Sequence, residues 1–174
     1  MVALDHGHEV IGVLLGVISD SHDRTPVIRQ AVALFNERKV SAVLHCGDFV
    51  APFALLPFKD LKCPFYAVFG NNDGERDGLA KLFAANGWSL NDRPWSFELS
   101  GYNITMLHEP FSLKRFVADG SQDLIVYGHT HEPLFEKNEK TMVVNPGEAC
   151  GWVKGFCSVA VVDMAKRECA IESI

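Results

Sequence analysis

The sequence predicts an α/β fold in which a largely parallel β-sheet is covered on both faces. The first half of the chain alternates continuous apolar runs of strand length with helix-forming segments, which is typical of buried parallel strands. The second half contains shorter apolar runs separated by turn signals, as expected for further strands and hairpins. A chain of 174 residues can bury a substantial core. We therefore expect residues 1–174 to form a single domain that contains two sheets.

Three apolar runs of the first half predict buried strands, namely GVLLGVIS, SAVLHC and PFYAVFG. The segment TPVIRQAVALFNERK predicts a helix with Thr25 as its N-cap and Pro26 at the first helical position. Apolar residues recur on one face of this helix at Val27, Ala31, Leu34 and Phe35. The segment APFALLPFKDL is a poorer helix because Pro57 interrupts it. GERDGLAKLFAANG predicts a third helix, which ends at Gly87.

The second half of the chain predicts strands, a short helix and two hairpins. WSFELSGYNITMLH indicates two strands joined around Gly101, and FSLKRFVADG indicates a short helix. DLIVYGH is another buried strand. PLFEKNEKTMVVNPG predicts a hairpin whose turn lies in the charged stretch 137–140, and CSVAVVDMAKRECAIESI predicts a closing hairpin.

Composition and charge exclude several classes of protein. The net charge of −6 offers no basic face for nucleic acid, so we expect none as a partner. The five cysteines lack C-x-x-C spacing, which favours reduced thiols and a cytoplasmic location over a disulfide framework or a thiolate zinc site. No apolar run reaches the roughly 18 residues of a membrane span. VIGVLLGVIS is interpreted as a core strand rather than a signal peptide, with residues 1–10 as a flexible extension.

Polar side chains follow the predicted strands of both halves, at the point where each strand ends. They are Asp20 and His22, then Asp48, then Asn71, Asn72 and Asp73, then His108, and finally His129 and His131. Polar groups at the carboxyl ends of the strands meet at one edge of an α/β sheet, where such folds place their sites. Each residue alone could be a turn or core residue. Their repetition at successive strand ends predicts a shared metal site.

The ligand types indicate which cations this site would hold. Carboxylate, imidazole and amide oxygen without thiolate suit Mn²⁺, Fe²⁺, Ni²⁺ or Zn²⁺, and we expect Mn²⁺ first. The candidate ligands are too many for one tetrahedral ion and are enough for two ions about 3.5–4 Å apart. A carboxylate or a water molecule can bridge such a pair. Water bound to two cations loses a proton readily and supplies a nucleophile at neutral pH.

The order D-x-H, GD, GN, H and GHTH resembles the signature of the calcineurin-like metallophosphoesterase superfamily. HCGDF, GNNDGE, VYGHTHE and NPGE resemble its small YfcE-type phosphodiesterase branch, and the resemblance runs from Val13 to the end of the chain. It implies a four-layer αββα sandwich of two mixed β-sheets. It also implies hydrolysis of small phosphate diesters by in-line attack of a hydroxide that bridges two cations.

The resemblance also assigns roles to individual residues. Asp20, His22 and His131 would hold the first cation, and Asp48 would bridge the two. Asn71, His108 and His129 would complete the second site. Asp48 and Asn71 are the residues expected to be catalytic.

Two positions depart from the pattern of the superfamily. Asn72 stands where many members have a histidine that assists the leaving group, and an amide cannot act as such an acid. This substitution is shared by the small phosphodiesterases and favours leaving groups that are already stable anions. Glu109 and Pro110 follow His108 where glycine is usual. Glu109 either points outward or adds an anion at the metal edge.

Other readings of the sequence stay open. The retromer coat contains a subunit that resembles this branch and acts mainly as a scaffold, so a metal-binding interaction protein is an alternative, as is a phosphomonoesterase. Related small members often associate, which leaves a homo-oligomer open. Among the remaining polar residues, we expect His45 to be packed or hydrogen-bonded and Asn145 to support the site through a turn. His6 and His8 precede the first strand and are assigned to the extension.

Overall fold

The computed structural model describes residues 12–174 of the chain. The predicted extension 1–10, including His6 and His8, lies outside the described residues. Among residues 12–174, every helix is too short or too polar to cross a lipid bilayer.

The first half of the chain alternates strands and helices, as expected. Its elements are β1 (Leu14–Ile18), α1 (Thr25–Arg38), β2 (Ala42–His45), a 3₁₀ segment (Pro52–Asp60), β3 (Phe65–Val68), α2 (Arg76–Ala85) and β4 (Ser89–Asn91). The prediction for the start of α1 is wrong by one residue. The helix begins at Thr25 itself, because the Arg24 carbonyl accepts the first helical hydrogen bonds, and no side chain caps it. The poor helix around Pro57 is a 3₁₀ segment.

The second half contains mostly strands. Its elements are β5 (Trp95–Leu99), β6 (Tyr102–Met106), a 3₁₀ turn (Pro110–Ser112), α3 (Leu113–Asp119), β7 (Leu124–Val126), β8 (Leu134–Lys137), β9 (Met142–Asn145), β10 (Ser158–Asp163) and β11 (Glu168–Ser173). The two predicted hairpins are confirmed, since β8 pairs with β9 and β10 pairs with β11, both antiparallel. The short strand β4 was not predicted.

The strands form two mixed sheets. The first has the order β11-β10-β1-β2-β3-β4. In it β1 to β4 are parallel, and β10 is antiparallel to both of its neighbours, β1 and β11. The second has the order β5-β6-β7-β9-β8, in which β6, β7 and β9 are parallel. Each parallel run directs its carboxyl ends toward a single edge, and these edges carry the polar loops.

The two sheets pack face to face and helices cover their outer faces. Leu15 and Val17 of β1 lie in one apolar cluster with residues of the second sheet such as Met106 and Val126. Ile18 belongs instead to the cluster formed with α1, the 3₁₀ segment Pro52–Asp60 and α2. A smaller cluster joins α3 to the outer face of the second sheet. The predicted four-layer αββα sandwich is confirmed.

Close packing between β1 and α1 depends on a glycine. A Cβ atom on Gly16 would lie 2.7 Å from the ring of Phe35, which is fully buried. The missing side chain lets the helix approach the strand whose end carries Asp20.

Candidate metal centre

The loops after β1, β2, β3, β6 and β7 bring together all seven side chains expected to bind cations. The residues that follow these strands include Asp20, His22, Asp48, His129 and His131, and all five have positive φ angles. A non-glycine residue in this left-handed region costs roughly 1–2 kcal/mol. Such strain gathers where side chains are aimed for function. The loops therefore hold these groups in directions that relaxed turns would not give.

Asp20, His22 and His131 form what we call the first ligand cluster. The Oδ1 atom of Asp20 lies 3.3 Å from Nε2 of His131 and 3.9 Å from Nε2 of His22. The two imidazole rings stack, with centroids 5.6 Å apart. Asp20 is fully buried, yet among the described residues its Oδ1 atom has no hydrogen-bond partner. A buried carboxylate oxygen without a donor, facing two ring nitrogens, fits a cation between the three atoms.

The other oxygen of Asp20 is fully occupied. Oδ2 accepts hydrogen bonds from the Ser19 hydroxyl at 2.5 Å and from the His129 backbone amide at 3.0 Å. These contacts fix the carboxylate so that Oδ1 points into the cluster. Burial raises the pKa of Asp20 above its ordinary value, although the nearby histidines oppose that shift. A bound cation would favour the charged carboxylate and remove this cost.

Asn71, His108 and His129 form the second ligand cluster. Oδ1 of Asn71 lies 2.8 Å from Nε2 of His108 and 2.9 Å from Nδ1 of His129. His108 is fully buried, and its Nδ1 atom lies 2.7 Å from the Cys46 carbonyl oxygen, which can only accept a hydrogen. The Nδ1–H tautomer leaves the Nε2 lone pair directed at the cluster. This is the arrangement that a histidine ligand requires.

Asp48 lies between the two clusters. Its Oδ2 atom is 3.6 Å from Nε2 of His22 and 3.5 Å from Nε2 of His108. Burial alone would raise the pKa of Asp48, but the protonated form of His108, through a hydrogen bond and its charge, and two hydrogen bonds from Asn72 hold it well below its ordinary value. The carboxylate is therefore ionised at neutral pH and accessible to both clusters.

Asn72 and Asp73 shape the loop that supports Asp48. Asn72 donates to both oxygens of Asp48, from its backbone amide at 2.8 Å and from its side-chain Nδ2 at 2.7 Å. Asp73 is buried and accepts hydrogen bonds from the amides of Asp48, Val50 and Gly70. Asp73 was included among the polar strand-end residues, and the structure directs its carboxylate to backbone amides rather than to either cluster.

Two glycines let neighbouring loops of the site approach each other closely. A Cβ atom on Gly70 would lie 2.0 Å from Oδ1 of Asp48. A Cβ atom on Gly128 would likewise lie 1.9 Å from the Ser19 hydroxyl oxygen and 2.6 Å from Oδ2 of Asp20. Glycine after the ends of β3 and β7 thus leaves room for the carboxylates of Asp48 and Asp20.

Glu148 is a site residue that sequence reasoning missed. It is fully buried, and its Oε2 atom lies 2.6 Å from Nδ1 of His131, opposite the nitrogen that faces Asp20. It also accepts hydrogen bonds from the amides of Val153 and Lys154. Burial would raise the pKa of Glu148, but these donors lower it. The NPGE segment marked this place in the sequence, without indicating that its glutamate contacts and orients His131.

The residues set apart in the sequence occupy supporting positions. Asn145 donates from Nδ2 to the Gly128 carbonyl and to the Thr130 hydroxyl, which stabilises the loop that carries His129 and His131. His45 is fully buried, packs against aromatic rings and contacts the Ser21 hydroxyl at 3.1 Å. Its expected packed and hydrogen-bonded state is confirmed.

Glu109 pairs with Arg93 rather than extending into solvent or toward the clusters. Nε and one terminal nitrogen of Arg93 donate to its two carboxylate oxygens at 2.5 and 2.6 Å. Arg93 also donates to the carbonyl of Phe69, at the end of β3. The hydrogen bonds from Arg93 lower the pKa of Glu109. This pair joins the loop of His108 to the loop of Asn71, and it neutralises the acidic residue beside the second ligand cluster.

Comparison with known proteins gives a consistent result over most of the chain. Residues 13–167 match the model of the calcineurin-like phosphoesterase superfamily domain. A phosphodiesterase from Methanocaldococcus jannaschii is 39% identical over 157 residues, which span 88% of this chain and 95% of that relative.

Solved structures resemble the chain over nearly its whole length. The structure of an archaeal phosphodiesterase matches with a TM-score of 0.87 and 36% identity, covering 92% of this chain and 99% of that chain. The phosphoesterase YfcE from E. coli matches with a TM-score of 0.65 and 18% identity, with the same coverage of 92% and 99%, and shares the fold.

Proposed function

This chain belongs to the calcineurin-like phosphoesterase superfamily, and we propose that within it the protein is a phosphodiesterase that depends on two divalent cations. The M. jannaschii relative and the archaeal structure, both described as phosphodiesterases, support the choice of a diester. The observation that carries the proposal is the position of Asp48, whose Oδ2 atom lies within 3.6 Å of one histidine from each ligand cluster.

Each cluster supplies ligands of the same chemical kind. Asp20, His22 and His131 would hold one cation, and Asn71, His108 and His129 the other, with Asp48 shared between them. These oxygen and imidazole donors suit Mn²⁺, which we propose as the resident ion, and also suit Ni²⁺, Zn²⁺ or Fe²⁺. When bound, the two cations would polarise the phosphoryl oxygens and lower the pKa of a water molecule, which supplies the hydroxide for in-line attack.

The residues of the chain bind and orient the groups around that reaction. The negative charge of Asp48 would attract both cations. Asn71 places its side-chain amide oxygen between the rings of His108 and His129. Asn72 cannot protonate a leaving group, since its side-chain amide is no acid and already donates to Asp48. We therefore propose that the preferred substrates are diesters whose leaving group is a stable anion.

Further properties of the protein follow from the same proposal. The five cysteines are all free thiols, which supports a role in the reducing cytoplasm. We propose a small substrate rather than a polyanion, since a net charge of −6 gives no general attraction for a polyanion. We propose no nucleic-acid or membrane partner. The proposal is compatible with a homo-oligomer.

Hydrolysis by protein stripped of metal and refilled with Mn²⁺, Ni²⁺ or Zn²⁺ tests this proposal. We expect bis-p-nitrophenyl phosphate to be cleaved faster than p-nitrophenyl phosphate, only after refilling. The His22→Ala variant should lose this activity at low metal concentration, because it removes a ligand of the first cluster. Glu132→Gln is the control, since Glu132 is exposed and, within residues 12–174, its side chain pairs with Lys154 alone.

Two results would contradict the proposal. Faster cleavage of the monoester would indicate a phosphomonoesterase. Silence with every cation, in protein that still binds metal, would favour the scaffold alternative.

A further inference from the structure

Two exposed aromatic rings stand beside the two ligand clusters. Trp152 is 66% exposed and stacks on His22 of the first cluster, with ring centroids 6.1 Å apart and an angle of 27° between the rings. Phe111 is 88% exposed and meets His129 of the second cluster edge to face, with centroids 6.4 Å apart. Large apolar side chains are more stable when buried, so their exposure beside a polar site indicates a surface that contacts a ligand.

Hydrogen bonds fix the backbone next to Trp152, and this limits the positions that its exposed ring can take. The amides of Val153 and Lys154, which follow it directly, both donate to the buried carboxylate of Glu148. Glu148 in turn contacts His131. The tryptophan is thereby connected to the first ligand cluster through both its stacked ring and its backbone. A surface fixed in this way loses little freedom when it binds a ligand.

A cleft lies beside the second cluster. It has a volume of about 340 Å³ and lies between His108, Arg93, Pro94, Arg76 and Phe111. The charge of Arg93 is neutralised by Glu109, and Arg76 packs its guanidinium on the ring of Phe69 at 4.5 Å while pairing with Asp92. The cleft thus offers the Phe111 ring and the edge of a proline beside the second ligand cluster.

A phosphodiester carries two organic groups, which diverge from the phosphorus. With the phosphoryl group at the clusters, one organic group would lie toward Trp152 and the other toward Phe111. From this placement, which rests on the proposed function, we infer that Trp152 and Phe111 determine specificity by stacking on the ester groups, so that the substrates are phosphodiesters with flat aromatic groups. Aromatic pairs in offset or edge-on contact gain stabilisation beyond that of the buried area, and an alkyl group cannot supply this gain.

Three diesters with the same p-nitrophenolate leaving group test this inference, because only the retained group differs. The retained groups are phenyl, thymidine joined through its 5′ oxygen, and ethyl. We expect the metal-loaded protein to prefer one of the aromatic groups over ethyl in kcat/KM by about threefold to tenfold, as expected from one aromatic contact. Phenyl and thymidine distinguish a directly attached ring from a nucleobase.

The double variant Trp152→Ala/Phe111→Ala should lose that preference whichever way the substrate binds, and its kcat/KM for the ethyl diester should fall less than its kcat/KM for the preferred aromatic diester. Leu56→Ala is the control, since Leu56 is 48% exposed on the 3₁₀ segment Pro52–Asp60. A second readout does not depend on turnover. Diphenyl phosphate should change the tryptophan fluorescence of the loaded protein more than diethyl phosphate does, and Trp152→Ala should abolish the difference.

The outcomes separate this inference from the proposed function. Hydrolysis without a preference for aromatic groups would overturn the role of the two rings, and so would a preference that the double variant keeps. Neither result would contradict the proposed phosphodiesterase activity. Failure to cleave any of the three diesters with any cation would contradict the proposed function itself. If the wild type were a dimer that dissociates in the double variant while the preference among the diesters is unchanged, the rings would form a contact between two copies of the chain. That result would overturn the inference.

Discussion

At the scale of single residues, two imidazole rings use one nitrogen as an anchor and present the other to a ligand cluster. His131 directs Nδ1 to Glu148 at 2.6 Å, and His108 directs Nδ1 to the Cys46 carbonyl at 2.7 Å. An acceptor at Nδ1 selects the tautomer whose Nε2 lone pair is free, and a carboxylate also makes the ring a stronger ligand. The proposed metal centre would therefore depend on residues that do not contact the cations.

Replacing Glu148 with glutamine tests this dependence. Glutamine keeps the volume but offers one acceptor oxygen where the amides of Val153 and Lys154 and the ring of His131 all point. We expect the affinity for Mn²⁺ to fall about 10–100-fold, as is usual when the partner of a ligand histidine is lost. Competition with a chelator of known affinity measures this change.

The control for that experiment is Glu132→Gln, which removes an exposed carboxylate from the same region of the chain. Equal Mn²⁺ affinity in Glu148→Gln and the wild type would show that Glu148 has only a structural role. A fall in melting temperature without loss of affinity would lead to the same conclusion.

The sequence predicted which side chains meet at the two clusters better than it predicted the residues that support them. Asp20, Asp48 and His108 each follow an apolar strand, so their common edge could be foreseen. Glu148 lies after β9 as well, but its partners belong to the irregular loop around Val153, whose path no periodicity reveals. The pairing of Glu109 with Arg93 was likewise hidden, since it joins two loops through a bend at the start of β5.

At the scale of elements, short and irregular segments were harder to predict than buried strands and long helices. The strand β4 (Ser89–Asn91) contains no apolar run and is defined only by its pairing with β3. The 3₁₀ segment Pro52–Asp60 replaces the weak helix because Pro57 cannot donate a helical hydrogen bond. By contrast α1 has the predicted length, since its apolar face faces the first sheet through Val27, Ala31 and Phe35.

The contact between β1 and α1 gives a prediction at this scale. In Gly16→Ala the new Cβ atom would lie 2.7 Å from the buried ring of Phe35, so the helix or the ring must shift. We expect the free energy of unfolding to fall by about 1–3 kcal/mol, as is common for an overpacked core. Denaturant titration of the metal-free protein measures it.

Gly74→Ala is the matched control, because a Cβ atom there would meet nothing within 4 Å. Its stability should stay within about 0.5 kcal/mol of the wild type, as surface substitutions usually do. If Gly16→Ala were as stable as this control, the close approach of α1 to β1 would not hold in solution.

At the scale of the whole molecule, the site lies where the carboxyl ends of parallel strands from both sheets meet. The first sheet contributes Asp20, Asp48 and Asn71 from the ends of its strands, and the second contributes His108 and His129. Carboxylates and amides thus approach from one sheet and imidazoles mostly from the other. The apolar cluster between the sheets holds the two halves of the centre at a fixed distance.

We propose that this centre binds two cations with Asp48 between them, and diffraction from crystals grown with Mn²⁺ would locate them. We expect two anomalous peaks about 3.5–4 Å apart. One should lie beside Oδ1 of Asp20 and Nε2 of His131, and the other beside Nε2 of His108 and Oδ1 of Asn71. A single peak at full occupancy would rule out the two-cation centre, as would a cation held instead by His131, Glu148 and Cys150.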